Sequence, residues 1–221
     1  MASFCRAANN GSLSYDLHDS AHVFLGSFPG DWSYSIAGQL SWINLIYEIV
    51  NEAIILPLFY FVGKVVNDRK RFTNRLKTGL LISFFIYSIL AIAIILFAEQ
   101  MLTAMATSKD IIFESAKYVR IESIANIFGI LLSFSSVALV SLGKDKLIYI
   151  LTVTKLVLCL IFDTFLVSTL PFSANLGVNG IAYSNIIVNG LLFVTVIVIL
   201  AKQGYSILNK DKMSFTWAKE F

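Results

Sequence analysis

The segment from Gly180 to Ala201, GIAYSNIIVNGLLFVTVIVILA, contains 22 residues and no charged side chain. Two other segments share this property: Leu80–Ala98 over 19 residues and Ser123–Leu142 over 20 residues. A helix rises about 1.5 Å per residue, so about 20 apolar residues cross the ~30 Å hydrocarbon core of a bilayer. Each of these three segments therefore predicts a transmembrane helix.

Two further segments are apolar and long enough to cross, although each carries ionisable residues. Ser35–Val62 contains Glu48 and Glu52, whereas Leu147–Leu170 contains Lys155 and Asp163. The sequence thus predicts an all-α integral membrane protein, a bundle of about five transmembrane helices within residues 35–205. The predicted spans are residues 35–62, 79–98, 119–142, 147–170 and 180–201, between a polar N-terminal tail (1–34) and a C-terminal tail (206–221).

Composition excludes several classes of function. Hydrophobic residues make up 57% of the 221-residue chain and charged residues only 14%, so a bilayer is the expected surrounding and no basic surface for nucleic acid is expected. Neither Gly63-Lys64 nor Gly143-Lys144 belongs to a phosphate-binding loop, because the required spacing of glycine and Ser/Thr is absent. Both histidines lie in the polar tail, and the two cysteines suggest neither a disulfide nor a metal site. An enzyme is therefore not expected.

The distribution of basic residues predicts the orientation of the chain. Twelve Lys and Arg residues fall on one side of a five-helix path and only four on the other, which favours a cytoplasmic location for the richer side. The twelve are Lys64, Arg69, Lys70, Arg71, Arg75, Lys77, Lys144, Lys146, Lys202, Lys210, Lys212 and Lys219. We therefore predict a multi-pass protein of the plasma (inner) membrane with a cytoplasmic C-terminus. The polar N-terminal tail would then lie outside, as if a helix preceding residue 35 had been lost.

Polar residues of the first span share one helical face. Asn44, Glu48, Asn51 and Glu52 follow Ser41 at spacings of three, seven, ten and eleven residues. Ionisable groups within a span cost a few kcal/mol each unless they find water or polar partners. We interpret this face as the lining of an aqueous cavity. The alternative is that it packs against polar residues of another helix, or that the helix lies partly in the membrane interface.

The fourth span carries Lys155, Cys159 and Asp163 at intervals of four residues. Burial raises the pKa of a carboxyl group and a nearby cation lowers it, so such a group can exchange a proton near neutral pH. Asp163 is therefore a candidate for ion coupling, the alternative being a structural pair with Lys155. In the last span, Asn185 could assist Asp163, or simply hold helices together by hydrogen bonds.

Five short segments, taken in order, resemble the N-terminal half of the multidrug and toxic compound extrusion (MATE) family. Residues 61–64 (FVGK) resemble the end of the family's second helix and the glycine and basic loop after it. The others are residues 116–121 (AKYVRI), 141–146 (SLGKDK), 158–167 (LCLIFDTFLV) and 176–182 (LGVNGIA), which resemble the start and end of the fourth helix, the fifth helix and the turn before the sixth. The aspartate of the fifth-helix pattern favours the N-terminal half of the family over the C-terminal half.

This resemblance implies a twelve-helix secondary transporter that exports cationic or amphipathic small molecules in exchange for Na⁺ or H⁺. It makes Asp163 the carboxyl group that handles the coupling ion and Asn185 a polar neighbour. Cys159 stands where the family usually has asparagine, and Lys155 is unusual at its position. No cofactor is implied beyond the coupling ion. The family's first helix and its whole C-terminal half have no counterpart in the chain, which predicts a truncated protein and makes these parts its expected partners.

Two alternatives remain open at this stage. A lipid-linked oligosaccharide flippase of the same superfamily shares the order of helices. A non-transporting remnant or accessory membrane protein would also fit five spans that lack a partner half, since one half alone cannot build an alternating-access cleft.

The orientation is testable with reporter fusions. Two reporters are compared, one that is active only in the cytoplasm and one that is active only outside. When they are fused after Phe221 or within residues 64–77, we expect the first to be active and the second to be inactive, because of the excess of basic residues on that side. A C-terminal reporter that is active outside would reverse the predicted topology.

Overall fold

The protein is described by a computed structural model that covers residues 32–105, 107, 109–167, 173–205 and 207, with side chains from residue 42 onward except 55 and 56. Every regular element in these ranges is an α-helix, and all five helices are long and apolar enough to cross a membrane. We number them α1 (Trp32–Gly63), α2 (Arg69–Ala104), α3 (Lys109–Ser141), α4 (Asp145–Leu166) and α5 (Val178–Lys202). The predicted all-α membrane fold is confirmed. The two predicted tails lie almost wholly outside the described residues.

Several helix ends differ from those predicted. α2 begins at Arg69 rather than at residue 79, and α3 begins at Lys109 rather than at residue 119. A run without charges marks only the part of a helix that lies in hydrocarbon. The helix can continue beyond that part where the backbone groups at its end find hydrogen-bond partners. Asp68 provides such an end, because its carboxylate accepts hydrogen bonds of 3.1 Å from the backbone N–H groups of Lys70 and Arg71. The basic residues from Arg69 to Lys77 are therefore helical, not part of a loop.

The fourth helix is shorter than predicted. It ends at Leu166, where the N–H of Val167 donates to the carbonyl oxygen of Asp163 at 2.8 Å. The predicted end at Leu170 lies outside the described residues.

Helix α3 is the central element of the bundle. It packs extensively against α2 and α5, and also against α1 and α4. Small side chains at Ser115, Ala116, Ser123, Ser135 and Ala138 are fully buried, which allows neighbouring helices to approach closely. The hydroxyl groups of Ser123 and Ser135 cost little there, since they donate to backbone oxygens one turn earlier, both at 2.7 Å.

The outer surface of the bundle is apolar. Large side chains stay exposed on α2, α4 and α5, among them Ile89 (67%), Leu96 (66%) and Val153 (63%). Water would make such a surface unfavourable, whereas lipid chains solvate it. α4 is the most exposed of the five helices, because its buried side chains are those of Ile148, Cys159 and Asp163.

Two arginines join helix ends on the predicted cytoplasmic side. Arg69 donates from Nε to the carbonyl oxygen of Gly204 at 3.1 Å and from Nη2 to that of Gln203 at 3.0 Å, just beyond α5. Arg75 donates to the carbonyl oxygen of Phe61 near the end of α1 at 2.6 Å. These bonds satisfy carbonyl groups that have no partner within their own helix. The start of α2 is thereby tied to the ends of α1 and α5.

Gly180 allows α5 to approach the end of α4. A Cβ atom at this position would lie 2.9 Å from the carbonyl oxygen of Leu166 and 2.9 Å from Cγ2 of Val167. Since one of these atoms belongs to the backbone, we expect Gly180→Ala to lower the free energy of unfolding by about 1–3 kcal/mol. Thermal unfolding in detergent measures this change. Gly190→Ala is the control, because its Cβ would lie 3.9 Å from Phe128, and equal effects of the two changes would contradict the expected clash.

Candidate site: a polar cluster between α3, α4 and α5

Asp163 lies on the packed side of α4, as the sequence predicts for a residue inside the protein. Its side chain is buried and close to Ser184 of α5. Within the described part of the chain, the Oδ1 atom of Asp163 has no hydrogen-bond partner, nor has the hydroxyl group of Ser184. A buried carboxyl oxygen whose lone pairs accept no hydrogen bond can take up a proton or a cation without first breaking a hydrogen bond.

Glu122 of α3 is the main residue that the sequence interpretation missed. Its two carboxyl oxygens accept hydrogen bonds of 3.1 and 3.2 Å from Nδ2 of Asn185 on α5. Asp163 and Lys155 also interact with it electrostatically. Two neighbouring helices, α4 and α5, therefore place ionisable or hydrogen-bonding side chains around this one carboxyl group.

The misplaced start of α3 explains why Glu122 was missed. With a helix predicted to begin at residue 119, Glu122 falls in the first turn and counts as an external charge. Because α3 begins at Lys109, Glu122 lies about 20 Å along the helix from its start, well within the span. The spacing of Tyr118, Glu122 and Asn126, four residues apart on one helix face, is the signal that could have found it.

Lys155 has a different neighbour from the one considered in the sequence analysis. On α4 it is half-buried, and its ammonium group interacts electrostatically with Glu122 and with the buried thiol of Cys159. Cys159 lies one turn from both Lys155 and Asp163, on the same face of α4. The carboxyl group of Glu122 thus acts electrostatically on a lysine for which sequence reasoning considered only Asp163.

Asn185 belongs to the same group of side chains, although its hydrogen bond goes to Glu122 rather than to Asp163. We call this group the polar cluster. It consists of Glu122, Lys155, Cys159, Asp163, Ser184 and Asn185. Its role in ion coupling stays a prediction, but the candidates Asp163, Asn185 and Cys159 are now part of one site.

Tyrosines connect the polar cluster to the rest of the bundle. Tyr118 of α3 is buried and interacts electrostatically with Glu122 and Asp163. Tyr47 of α1 lies near Ser123 and Glu122. The hydroxyl group of Tyr87 on α2 donates to the carbonyl oxygen of Tyr47 at 2.9 Å, and the two rings lie 5.8 Å apart. Through Tyr47, α1 borders the cluster, and α2 is connected to it indirectly by the contact between Tyr87 and Tyr47.

The predicted cavity-lining residues of α1 lie beside its packed face. Ile43 and Tyr47 are buried, whereas Asn44, Glu48 and Asn51 are half-buried. Glu52 is exposed and interacts electrostatically with Tyr87. The polar stripe therefore runs from the edge of the bundle toward its surface, and its role as a cavity lining stays a prediction.

The apolar side chains of α1 differ widely in burial. Trp42 and Ile49 are exposed at 65% and 61%, and Ile46 is exposed to a lesser degree, whereas Ile43 is in the core. Val50 and Ile54 are half-buried. A helix that packs mainly against one central neighbour uses a narrow stripe for this contact, and much of its apolar side is left for lipid or another helix.

Comparison with known proteins shows which family and which solved structures the chain resembles. Residues 62–165 match the family model named MatE, a range that contains Glu122, Lys155, Cys159 and Asp163. A crystal structure of a MATE point mutant has a similar fold, with a TM-score of 0.80 at 14% identity over 95% of this chain and 47% of that chain. The fold is that of half a MATE transporter.

Two further structures of MATE proteins give the same result. One, of MATE in the bent conformation, matches with a TM-score of 0.79 at 14% identity, over 95% of this chain and 47% of that chain. Another, of MATE in complex with MaD3S, matches with a TM-score of 0.79 at 13% identity, over 99% of this chain and 50% of that chain. The chain thus spans about half the length of the MATE structures it matches. No curated protein sequence matches significantly. The MATE resemblance predicted from the sequence is confirmed.

A double-mutant cycle tests the bond between Glu122 and Asn185. We expect Glu122→Ala and Asn185→Ala to be coupled by about 1 kcal/mol in unfolding free energy, since hydrogen bonds between membrane helices contribute about that much. Chemical or thermal unfolding of the four variants in detergent gives the coupling energy.

The same two helices offer a matched control. Glu114 also lies on α3, but the hydrogen bond that it accepts, at 3.1 Å, comes from Asn179, six residues before Asn185 on α5. Glu114→Ala and Asn185→Ala should therefore have additive effects. If the Glu122–Asn185 cycle is additive as well, the hydrogen bond contributes nothing to stability.

Proposed function

We propose that the chain forms one half of a cation-coupled MATE antiporter that exports cationic or amphipathic compounds. The coupling ion is Na⁺ or H⁺, and Asp163 binds and releases it. One observation carries this proposal: Asp163 is buried in a membrane-spanning helix, and its Oδ1 atom has no hydrogen-bond partner within the described residues.

A carboxyl group in this position can link ion binding to a change of conformation. An ionised carboxyl group surrounded by apolar side chains is unfavourable by several kcal/mol, whereas its neutral or cation-bound form is much less so. Conformations that expose Asp163 to water therefore favour the ionised form, and conformations that bury it favour the occupied form. Binding of the ion and the position of the helices then influence each other, which is what coupled transport requires.

The acidic residues of α1 suit the proposed substrates. Glu48 is half-buried and Glu52 is exposed, on the side of α1 that borders the surface of the bundle. Carboxylate groups at the edge of a cleft attract cationic compounds by long-range electrostatics. In the complete transporter this side would face the family's first helix and its other lobe, which we propose as the partners that close the cleft.

Replacement of Asp163 tests the coupling role. We expect Asp163→Asn to abolish ion-driven efflux in the complete transporter, since the amide keeps the shape of the side chain but cannot release a proton or balance a cation. The measurement is export of a fluorescent cationic compound from membrane vesicles, normalised to the amount of protein inserted. Asp145→Asn is the control, because Asp145 lies in the first turn of the same helix, at the other end from Asp163.

A double variant separates coupling from structure. If Asp163 only balances Lys155, Asp163→Asn would leave a buried cation, and adding Lys155→Met should restore stability and efflux together. We expect no such rescue, because Lys155 also interacts with Glu122. Efflux at the parental rate in the double variant would show that Asp163 is structural.

A further inference from the structure

The interface between α3 and α5 is polar along the first half of α5. Two hydrogen bonds of 3.1 Å cross it, from Nδ2 of Asn179 to Glu114 and from Nδ2 of Asn185 to Glu122. The two pairs follow the same order in both helices, so α3 and α5 run side by side in the same direction. Glu114 is exposed near the start of α3, and the polar interface therefore begins at the surface of the bundle.

Six polar atoms around this interface are buried without a hydrogen-bond partner among the described residues. They are Oγ of Ser115 and Nδ2 of Asn126 on α3, Oδ1 of Asp163 on α4, and Oδ1 of Asn179, Oγ of Ser184 and Oδ1 of Asn189 on α5. Apart from Asn126, these residues are at most 9% exposed. Asn189 faces α3, because its Nδ2 lies 3.6 Å from the place that a Cβ atom on Gly129 would take. From Asn179 to Asn189 the row covers about 15 Å of α5.

Asp163 belongs to this row because of the way in which α4 and α5 meet. The chain turns back between them, and a Cβ atom on Gly180 would lie 2.9 Å from the carbonyl oxygen of Leu166. Asp163 is nearly one turn before Leu166, and Ser184 is about one turn after Gly180, so both lie at the same depth. Ser184 directly precedes the residue that donates to Glu122. The unpaired atoms of Asp163 and Ser184 are therefore level with the middle of the row.

The second halves of α3 and α5 bury apolar side chains instead. Leu192, Val196 and Leu200 of α5 are at most 3% exposed, and Phe134 and Leu139 of α3 are fully buried. Among the described residues of these two stretches, no buried polar side-chain atom lacks a partner. Water would find nothing to bind there.

Water is the ligand that fits the polar half. A buried polar group without a partner is unfavourable by about 1–3 kcal/mol, and a buried water molecule typically makes about three hydrogen bonds to such groups. The six atoms include amide and carboxyl oxygens, which accept, an amide nitrogen, which donates, and hydroxyl groups, which do both. Water both donates and accepts, so it can link all of them.

We propose that a file of bound water molecules fills the polar half of the interface between α3 and α5. The water file runs from Glu114 and Asn179 to Asp163, and the apolar second half closes it. In the predicted orientation the open end is on the outer side, and Asp163 exchanges its ion with that side. This last step rests on the proposed function, whereas bound water is a property of the folded protein.

Hydroxyl-radical labelling of the purified protein, read by mass spectrometry, tests the water file. X-ray radiolysis produces radicals from bound and bulk water alike, whereas iron–EDTA produces them in bulk solvent. Three aromatic residues of α3 are compared: Phe113 is 69% exposed, Tyr118 is buried between Glu114 and Glu122 in sequence, and Phe134 is buried in the apolar half. We expect both sources to modify Phe113, radiolysis alone to modify Tyr118, and neither to modify Phe134.

Cys159 reports whether the water file reaches Asp163. Its thiol is buried one turn before Asp163 on the same face of α4. We expect radiolysis to oxidise Cys159 beyond the level of an unirradiated sample, and iron–EDTA to leave it at that level.

Four results would overturn the proposal. If Tyr118 stays as unmodified as Phe134, the interface is dry, and if iron–EDTA also modifies Tyr118, the interface is an open cleft. Modification of Phe134 by radiolysis would show that the apolar half does not close the file. Modified Tyr118 with unmodified Cys159 would end the file short of Asp163. None of these measurements involves transport, so their failure is distinguishable from a failure of the efflux test on Asp163→Asn.

Discussion

A carboxyl group in the hydrocarbon region of a membrane must find its partners within the protein, because no water is present to solvate it. Glu122 meets this requirement through hydrogen bonds from the amide of Asn185 on α5, and Lys155 and Asp163 on α4 act on it electrostatically. Its own helix, α3, packs against all four others. The bundle is thus arranged around a helix whose carboxyl group within the span is hydrogen-bonded only when α5 is in place.

Much of the fold could be predicted from the sequence, because a long apolar run marks the part of a helix that crosses the hydrocarbon core. The charge-free runs Leu80–Ala98 and Gly180–Ala201 each lie inside a helix of the structure, and Ser123–Leu142 extends one residue beyond the end of α3. The same criterion fails at helix ends, where charged residues are tolerated at the level of the lipid head groups. Ten residues at the start of α2 and ten at the start of α3 were therefore assigned to loops.

The candidate site was only partly predictable for the same reason. Asp163 stood out because it interrupts an apolar run and fits a family pattern, whereas Glu122 was hidden by the error in the start of α3. Pairings between helices depend on rotation about each helix axis, and a single sequence does not determine this rotation. Asn185 was correctly recognised as a polar side chain of interest, but its hydrogen bond to Glu122 became visible only when α3 and α5 were placed side by side.

The attachment of Arg69 to the end of α5 has a mechanical consequence. Its bonds to Gln203 and Gly204 hold α2 and α5 together at one end, and α3 packs against both along their length. These three helices form a stiff unit. α4 has few buried side chains and packs mainly against α5, so its displacement disrupts the least packing. The bundle is therefore most compliant in α4, and a force applied to it would first shift Lys155, Cys159 and Asp163 relative to Glu122.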